Sequence, residues 1–139
     1  MSQINQLTII APNIRSGGGK ELLEYLVEYL SERTVLEVLV ILDNSIATIK
    51  STERVKIVRL DSVIDKIKSF SYKFQNVLYF GNLPPLVKSS LSMVYFHNPY
   101  LVMNYSVLKK SSLRLFLKYS LQQIYINLFI RNIGSVACQ

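Results

Sequence analysis

The sequence holds few side chains suited to chemistry, and the single histidine, His97, is the first of them. It follows an apolar run and precedes Asn98 and Pro99, so we expect it at the carboxyl end of a strand, on a loop stiffened by proline. An imidazole there suits proton transfer or hydrogen bonding to a substrate. The alternative is a partly buried loop histidine that satisfies a neighbouring carbonyl, and the sequence leaves both interpretations open.

Three consecutive glycines, Gly17, Gly18 and Gly19, form the second candidate. They stand between a strand-like run and an amphipathic helix, where the backbone can approach a ligand and the helix start attracts anions. The run matches neither the Walker A loop nor the dinucleotide G-x-G-x-x-G pattern, which disfavours ATPases and NAD enzymes. The alternative is a plain strand-to-helix turn.

A third candidate is the segment Gly81-Asn82-Leu83-Pro84-Pro85, which follows another apolar run. Its alternative is that Pro84 and Pro85 simply begin a helix, since proline suits a first helical turn. Metal sites and catalytic triads have no support, because the chain has one histidine, one cysteine near its end and no acidic residue after Asp65. We therefore expect no metal and no cofactor.

The charges are unevenly distributed along the chain. Residues 1–65 carry seven basic and all nine acidic residues, whereas residues 66–139 carry nine basic residues and no acidic one. This asymmetry favours an anionic partner, namely membrane lipid, a phosphorylated small molecule or nucleic acid. It also excludes a mechanism based on a pair of carboxylates in the second half of the chain. The alternative is a basic surface that only keeps the protein soluble.

The longest helical pattern is predicted over residues 109–131. Its cationic side chains, at Lys109, Lys110, Arg114 and Lys118, are predicted to face anionic lipid headgroups while Phe116, Tyr119 or the loop from Tyr100 to Tyr105 reaches the interface. The alternative is an ordinary solvated face. We expect the apolar stripe of the same helix to be buried, with members Leu113, Leu117, Leu121, Ile124 and Leu128. Nucleic acid is the less favoured partner, because no helix-turn-helix, RNP-like or zinc-ligand spacing is present.

Length and composition predict one domain over residues 1–139. The single cysteine, Cys138, has no partner for a disulfide, which fits a reducing compartment. Neither a signal peptide nor an apolar stretch long enough to span a bilayer is visible. We expect a cytoplasmic protein, with peripheral contact to the inner face of the cytoplasmic membrane as a further option.

The elements that must position these candidates alternate between strands and helices. Apolar or alternating runs predict six strands, over 7–11, 35–42, 55–60, 76–80, 93–96 and 134–138. Amphipathic periodicity predicts helices over 21–33, over about 62–70 with Asp61 or Ser62 as cap, and over 109–131. The pattern predicts an α/β fold, a three-layer Rossmann-like sandwich with a mostly parallel six-stranded sheet in the order 3-2-1-4-5-6. Ligands bind such sheets at the carboxyl ends of strands one and four.

These segments, taken in order, resemble a known family. Residues 13–23 around the glycines, Tyr79 to Pro85, and Tyr95 to Tyr100 around His97 look like the N-terminal half of bacterial GT-B glycosyltransferases of the family 4 type. The similarity covers nearly the whole chain and ends where residues 136–139 match the last strand of that half. Each motif is moderately specific alone, and their order and spacing strengthen the resemblance.

The resemblance implies a metal-independent retaining enzyme that moves a sugar from a nucleotide-sugar to a lipid-linked or saccharide acceptor in surface polysaccharide synthesis. It assigns His97 to the cleft near the transferred sugar. The resemblance also implies a set of residues that bind substrate, namely Gly17, Gly18, Gly19, Lys20, Gly81, Asn82 and Asn98.

The sequence departs from this family in one large respect. Such enzymes have a second, donor-binding domain that holds most of the nucleotide, and that domain is missing from these 139 residues. We therefore expect little transfer by this chain alone, and a C-terminal domain or a separate donor-binding subunit as its partner. The alternative function is a non-catalytic Rossmann-like module that binds a phosphorylated ligand, or a subunit of a split transferase.

Overall fold

The computed structural model describes residues 6–33, 35–89, 91–98, 106, 109 and 112–138. Strands and helices alternate along the chain, as the apolar runs predict. The strands are β1 (Gln6–Ala11), β2 (Glu37–Asp43), β3 (Val55–Leu60), β4 (Val77–Phe80), β5 (Ser92–Phe96) and β6 (Ser135–Cys138). The helices are α1 (Gly18–Arg33), α2 (Val63–Ser69) and α3 (Leu113–Phe129), the last followed by a 3₁₀ turn (Ile130–Asn132).

All six strands belong to one parallel sheet, in the order β3-β2-β1-β4-β5-β6. The order reverses direction between β1 and β4, so these two strands flank the switch point of a Rossmann-like sandwich. The predicted fold class and strand order are therefore confirmed. β3 lies at one edge of the sheet, as its alternating sequence predicts.

The sheet separates two apolar cores. On one side, Leu23 and Val27 of α1 pack against inward-facing residues of β1 and β2 such as Ile9 and Val40. On the other side, Ile10 and Tyr79 pack with residues from the end of α2 and from α3. The alternation of neighbouring strand residues between the two cores follows from the period of two along a strand.

Local sequence signals place most element boundaries within two residues of their position in the structure. β3 has the predicted bounds, β2 differs from prediction at both ends, and each of the other strands differs by one residue at its start. The cap of α2 is Ser62, whose hydroxyl accepts a hydrogen bond from the Asp65 backbone N–H at 3.0 Å. α1 begins at Gly18 rather than Glu21, so two of the three glycines belong to the first helical turn.

The predicted orientation of the last helix is wrong. None of its residues is fully buried, and the stripe predicted to face the core is exposed; its members are Leu113, Leu117, Leu121, Ile124 and Leu128. Tyr119 and Ile126 pack on the core instead, so Tyr119 does not reach outward as expected. The helix is also shorter than predicted, since it begins at Leu113 after Ser112 and ends at Phe129. Lys110 and the loop from Tyr100 to Tyr105 lie outside the described residues.

Pro84 and Pro85 do not begin a helix, so that alternative is wrong. Residues 83–89 have no helical turn, because their backbone carbonyls are used by neighbouring elements. Pro84 O accepts a hydrogen bond from the Tyr125 hydroxyl at 2.9 Å, and Pro85 O accepts one from the Asn132 amide at 3.1 Å. The segment is thus held as an irregular loop against α3 and the 3₁₀ turn.

Candidate functional site

The three sequence candidates meet at the carboxyl ends of β1, β4 and β5. These strands are adjacent in the sheet, so the glycine turn after β1, the Gly81-Asn82 turn after β4 and His97 after β5 lie at one edge. A crevice of about 510 Å³ opens there, lined by Gly18, Gly19, Glu21, Leu22 and His97. It lies on the α1 side of the sheet.

Asn82 holds the histidine in place. Its side-chain carbonyl accepts hydrogen bonds from the backbone N–H groups of His97, at 2.8 Å, and Asn98, at 3.0 Å. Its side-chain Nδ2 lies 3.2 Å from His97 Nε2. Asn82 has a positive φ of 70°, a conformation that asparagine adopts more readily than most residues. The β4 turn therefore determines where the β5 imidazole sits.

This arrangement selects one form of the imidazole. Because the Asn82 carbonyl already accepts two N–H groups, its amide nitrogen faces the ring and donates to Nε2. The proton of a neutral ring is then on Nδ1, a buried atom without a hydrogen-bond partner among the described residues. Burial also lowers the pKa of His97 below its usual 6.5, which favours the neutral ring at physiological pH.

Each glycine after β1 has a different environment. Gly17 has a φ of +71° and makes the turn into α1, whereas a Cβ on Gly18 would meet open space. A Cβ on Gly19 would lie 2.9 Å from His97 Nε2, closer than side chains tolerate. Gly19 is thus the glycine that leaves room for the imidazole.

Gly81 connects the β4 turn to β1. Its φ of +136° is accessible to glycine alone, and a Cβ there would collide with the side chain of Asn13. The Asn13 amide instead donates a hydrogen bond to the Gly81 carbonyl. This contact links the turns after β1 and β4, and the sequence gives no local signal for it because the two residues are far apart along the chain.

The electrostatics of the crevice come from α1 and Glu21. The first backbone N–H groups of a helix have no intrahelical acceptor and carry partial positive charge, so this edge suits an anion or a hydroxyl-rich group. Glu21 adds one carboxylate to the lining. Lys20, a predicted substrate ligand, points along the helix, where its ammonium lies 3.5 Å from the Glu24 carboxylate.

Sequence reasoning missed a charged cluster beside the site. Asp43, at the end of β2, is nearly fully buried and binds Arg15 Nε at 2.9 Å and Lys66 Nζ at 2.6 Å. Burial alone would raise the pKa of Asp43, but hydrogen bonds from Lys66 and Ser45 and the charge of Lys66 outweigh it and hold the pKa well below its usual range. The only sequence signal is an acid ending an apolar strand, which equally marks a turn.

The candidate membrane-facing residues that the structure describes, Lys109, Arg114 and Lys118, are exposed. Within the described ranges, no helix has the length and apolar character required to cross a bilayer. The same ranges bring no three His, Cys, Asp or Glu side chains together as metal ligands.

Comparison with known proteins identifies no relative of this chain. No protein-family model matches the sequence, and neither the curated proteins nor the solved structures contain a match.

Proposed function

We propose that this chain is the acceptor-side half of a GT-B-type glycosyltransferase, which moves a sugar from a nucleotide-sugar to a lipid-linked or saccharide acceptor. The observation that carries the proposal is the position of His97. Asn82 holds its neutral ring directly over Gly19, at the switch point where ligands bind parallel sheets. The resemblance of the three motifs to this enzyme class points to the same residues.

The geometry suits an orienting role for His97. Its pKa is lowered, so at neutral pH the ring is an uncharged hydrogen-bonding group, and it lines an open crevice. We expect a sugar hydroxyl to replace the Asn82 amide as the donor to Nε2 and so hold the sugar at the reacting position, a contribution that positioning alone makes large. Gly18 and Gly19 bring the helix start to the same crevice, where a phosphate or hydroxyl can bind.

The chemistry also indicates a missing partner. In sugar transfer the bond from the anomeric carbon to the diphosphate breaks, the acceptor oxygen forms the new bond, and the proton of the acceptor hydroxyl passes to the departing diphosphate. The departing diphosphate needs cationic or hydrogen-bonding stabilisation. The described lining of the crevice contains no cationic side chain and includes one carboxylate. A donor-binding domain or subunit would supply that stabilisation.

A non-catalytic module that binds a phosphorylated ligand is the second candidate. It is favoured by the start of α1 at Gly18 and Gly19, which lines the crevice and can bind a phosphate without any reaction. The two candidates predict different results once a donor-binding half is present, since only the transferase then releases nucleoside diphosphate.

The test joins this chain to the donor-binding half of a family 4 glycosyltransferase and measures transfer of labelled sugar to lipid-linked and saccharide acceptors. We expect transfer in the joined protein, and a loss of about 100-fold or more in His97→Ala with an unchanged melting temperature. Lys50→Ala, an exposed change outside the crevice, is the matched control and keeps full turnover. Absence of transfer with every acceptor, together with phosphate-ligand binding, would favour the binding module. Unchanged turnover in His97→Ala would remove His97 from the mechanism.

We further propose that α3 places the protein on the inner face of the cytoplasmic membrane. Five of its six exposed leucine and isoleucine residues occupy about 80° of the helix circumference, Leu115 being the sixth, and Arg114 and Lys118 lie beside these five. An apolar stripe bordered by cations is the arrangement of helices that lie in the interface of anionic bilayers. The predicted contact through cationic side chains and an aromatic residue is thereby extended to the leucines.

Vesicle sedimentation tests this placement. We expect binding to phosphatidylcholine vesicles that contain phosphatidylglycerol, and loss of binding in Leu121→Asp. Tyr25→Asp is the matched control, because Tyr25 on α1 is 66% exposed and Leu121 is 65% exposed. Arg114→Gln with Lys118→Gln should weaken binding to the anionic vesicles alone, by about fivefold per charge. Equal binding by Leu121→Asp and wild type would contradict the proposal.

A further inference from the structure

The other side of the sheet holds an apolar groove that the candidate site does not use. It measures about 380 Å³, within the range of small-ligand sites, and lies between α2, α3 and the loop after β4. Its apolar walls are formed by Pro12, Val63, Ile67, Phe70, Leu83 and Leu86, with the ring of Tyr125. Arg15 and Lys66 lie in the same lining, so the groove has a cationic part and an apolar part.

The walls of the groove are held in position before any ligand arrives. The Leu86 N–H donates to the Phe70 carbonyl at 2.9 Å, which joins the loop to the end of α2. The Tyr125 hydroxyl donates to Pro84 O, and Asn132 donates to the Leu86 carbonyl at 3.0 Å, which joins the same loop to α3 and the turn after it. A preformed groove loses little entropy when it binds a ligand.

The cationic part of the groove carries an uncompensated positive charge. Arg15 and Lys66 share the single negative charge of Asp43, and no acidic residue is among the described residues of the lining. Asp43 binds Arg15 through Nε and so orients its guanidinium, whose side chain is 62% exposed. The remaining guanidinium N–H groups form a planar set of donors that phosphate fits well.

We propose that this groove binds a single-chain lipid phosphate, with the hydrocarbon between α2 and α3 and the phosphate at Arg15. The inference rests on the proposed function in one respect, namely that the lipid is the carrier of the sugar acceptor. An aliphatic chain fits better than a nucleotide base. The side-chain amide of Asn13 is the one amide in the described lining, and one of its two N–H groups is already bonded to Gly81, so the lining has little amide capacity left to recognise a base edge.

The groove lies next to the helix that we place on the membrane. Tyr125 on α3 lines the groove, while Leu121 and Ile124 on the same helix are exposed. A lipid phosphate that leaves the bilayer beside α3 would therefore reach the groove without crossing the sheet. Its phosphate would then lie near the carboxyl end of β1. There Asn13, which lines the groove, contacts Gly81 in the turn that holds His97 at the crevice.

Isothermal titration calorimetry with the full chain tests the groove directly. The probes are geranyl phosphate, geraniol, inorganic phosphate and uridine diphosphate. We expect geranyl phosphate to bind about tenfold or more tightly than geraniol, and inorganic phosphate not to bind measurably. Geraniol that binds as tightly as its phosphate would overturn the role of Arg15, and uridine diphosphate that competes with geranyl phosphate would overturn the lipid in favour of a nucleotide.

Two matched pairs of variants locate the binding. Val63 lines the groove and Ile64 does not, although both lie in the first turn of α2 and are 67% and 64% exposed. Val63→Asp should weaken geranyl phosphate binding about tenfold, whereas Ile64→Asp should leave it unchanged. Arg15→Gln should bring geranyl phosphate to the affinity of geraniol, whereas Lys56→Gln, an equal charge change outside the groove, should not. Equal behaviour within either pair would overturn the proposal.

This experiment separates the groove from the proposed function because it needs no sugar transfer. Geranyl phosphate binding with the expected variant pattern, combined with no transfer by the joined protein, would retain the groove and reject the transferase. Transfer that proceeds normally in a Val63→Asp joined protein, combined with no geranyl phosphate binding by the chain, would reject the groove and retain the transferase.

Discussion

The two longest helices cover opposite sides of one sheet, and they are held there in different ways. α1 inserts Leu23 and Val27 into the core, where both are fully or nearly fully buried. α3 has no fully buried residue and exposes its leucines. Its Tyr119 and Ile126 pack on the core while only partly buried, and polar contacts add to them: Tyr125 binds the Pro84 carbonyl, and Asn132, just beyond the end of α3, binds the Pro85 carbonyl.

The difference shows what an amphipathic pattern can and cannot predict. Periodicity identifies which residues share a face, and it does so correctly for both helices. It does not identify what that face contacts. On the inward side of α3, Ser120 Oγ and Gln122 Oε1 are buried without a described hydrogen-bond partner, while leucines face outward. Exposed apolar area of this kind marks a surface that contacts a membrane or another molecule.

The comparison of α1 with α3 predicts its largest difference in the free energy of unfolding when one leucine on each helix is replaced by alanine. Leu23→Ala should lower the free energy of unfolding by about 2–5 kcal/mol, because it leaves a cavity in the core. Leu121→Ala should change it by less than about 0.5 kcal/mol, because that side chain is already exposed to solvent. Urea denaturation of the two variants measures both values.

The outcome that would break the comparison is a large effect in Leu121→Ala. A loss that grows with protein concentration would show that the α3 leucines are buried between copies of the chain. Denaturation at two protein concentrations therefore serves as the control.

Much of the fold could be predicted because its signals are local. Alternation along β3 and the hydroxyl of Ser62, three residues before its N–H donor, act within a few residues of chain. The meeting of Asn82 and His97 follows from the strand order, since the ends of neighbouring parallel strands lie at one edge. Their hydrogen bonds depend on the positive φ of Asn82, which the sequence does not display.

The features that could not be predicted depend on long-range partners. Asp43 meets Arg15 and Lys66 across 28 and 23 residues, so no spacing rule reveals the cluster. The orientation of α3 likewise involves distant partners, because Tyr125 and Asn132 bind backbone carbonyls of Pro84 and Leu86, more than 40 residues earlier in the chain.

The second prediction concerns the charged contact between α2 and the sheet, on the side where polar contacts dominate. Asp43→Asn should lower the free energy of unfolding by about 1.5–3 kcal/mol at neutral pH, the range for hydrogen bonds to charged groups. Leu23→Ala should lower the free energy of unfolding by more than Asp43→Asn does, if apolar burial holds α1 on the sheet more firmly than the charged contact holds α2. Equal or greater loss in Asp43→Asn would reverse that ranking.

The pH dependence of this variant has a defined sign. The pKa of Asp43 is lowered in the folded protein from an ordinary 3.8, so the unfolded chain binds the proton more readily. The advantage of wild type over Asp43→Asn should be constant above about pH 5 and should shrink as the pH falls below about 4. An advantage that grows on acidification would contradict the ion-pair assignment.

The third prediction tests the contact between α3 and the loop. Tyr125→Phe removes the hydroxyl that binds Pro84 O and should lower the free energy of unfolding by about 0.5–1.5 kcal/mol. Tyr29→Phe on α1, an exposed tyrosine without a described hydrogen bond to the sheet, is the matched control and should change it little. Absence of any difference between the two would mean that α3 is not held by this hydroxyl.

The smallest predicted effect distinguishes two neighbouring glycines at the start of α1. Gly18→Ala meets no atom within 4 Å and should stabilise the helix by about 0.5–1 kcal/mol. Gly19→Ala gains the same helical propensity but must displace the His97 ring, so we expect little or no net stabilisation and altered ¹⁵N shifts of the imidazole. Histidine NMR of both variants measures this. Identical spectra would mean that the room left by Gly19 does not determine the position of His97. In that case α1 would influence the crevice only through the packing of its apolar face.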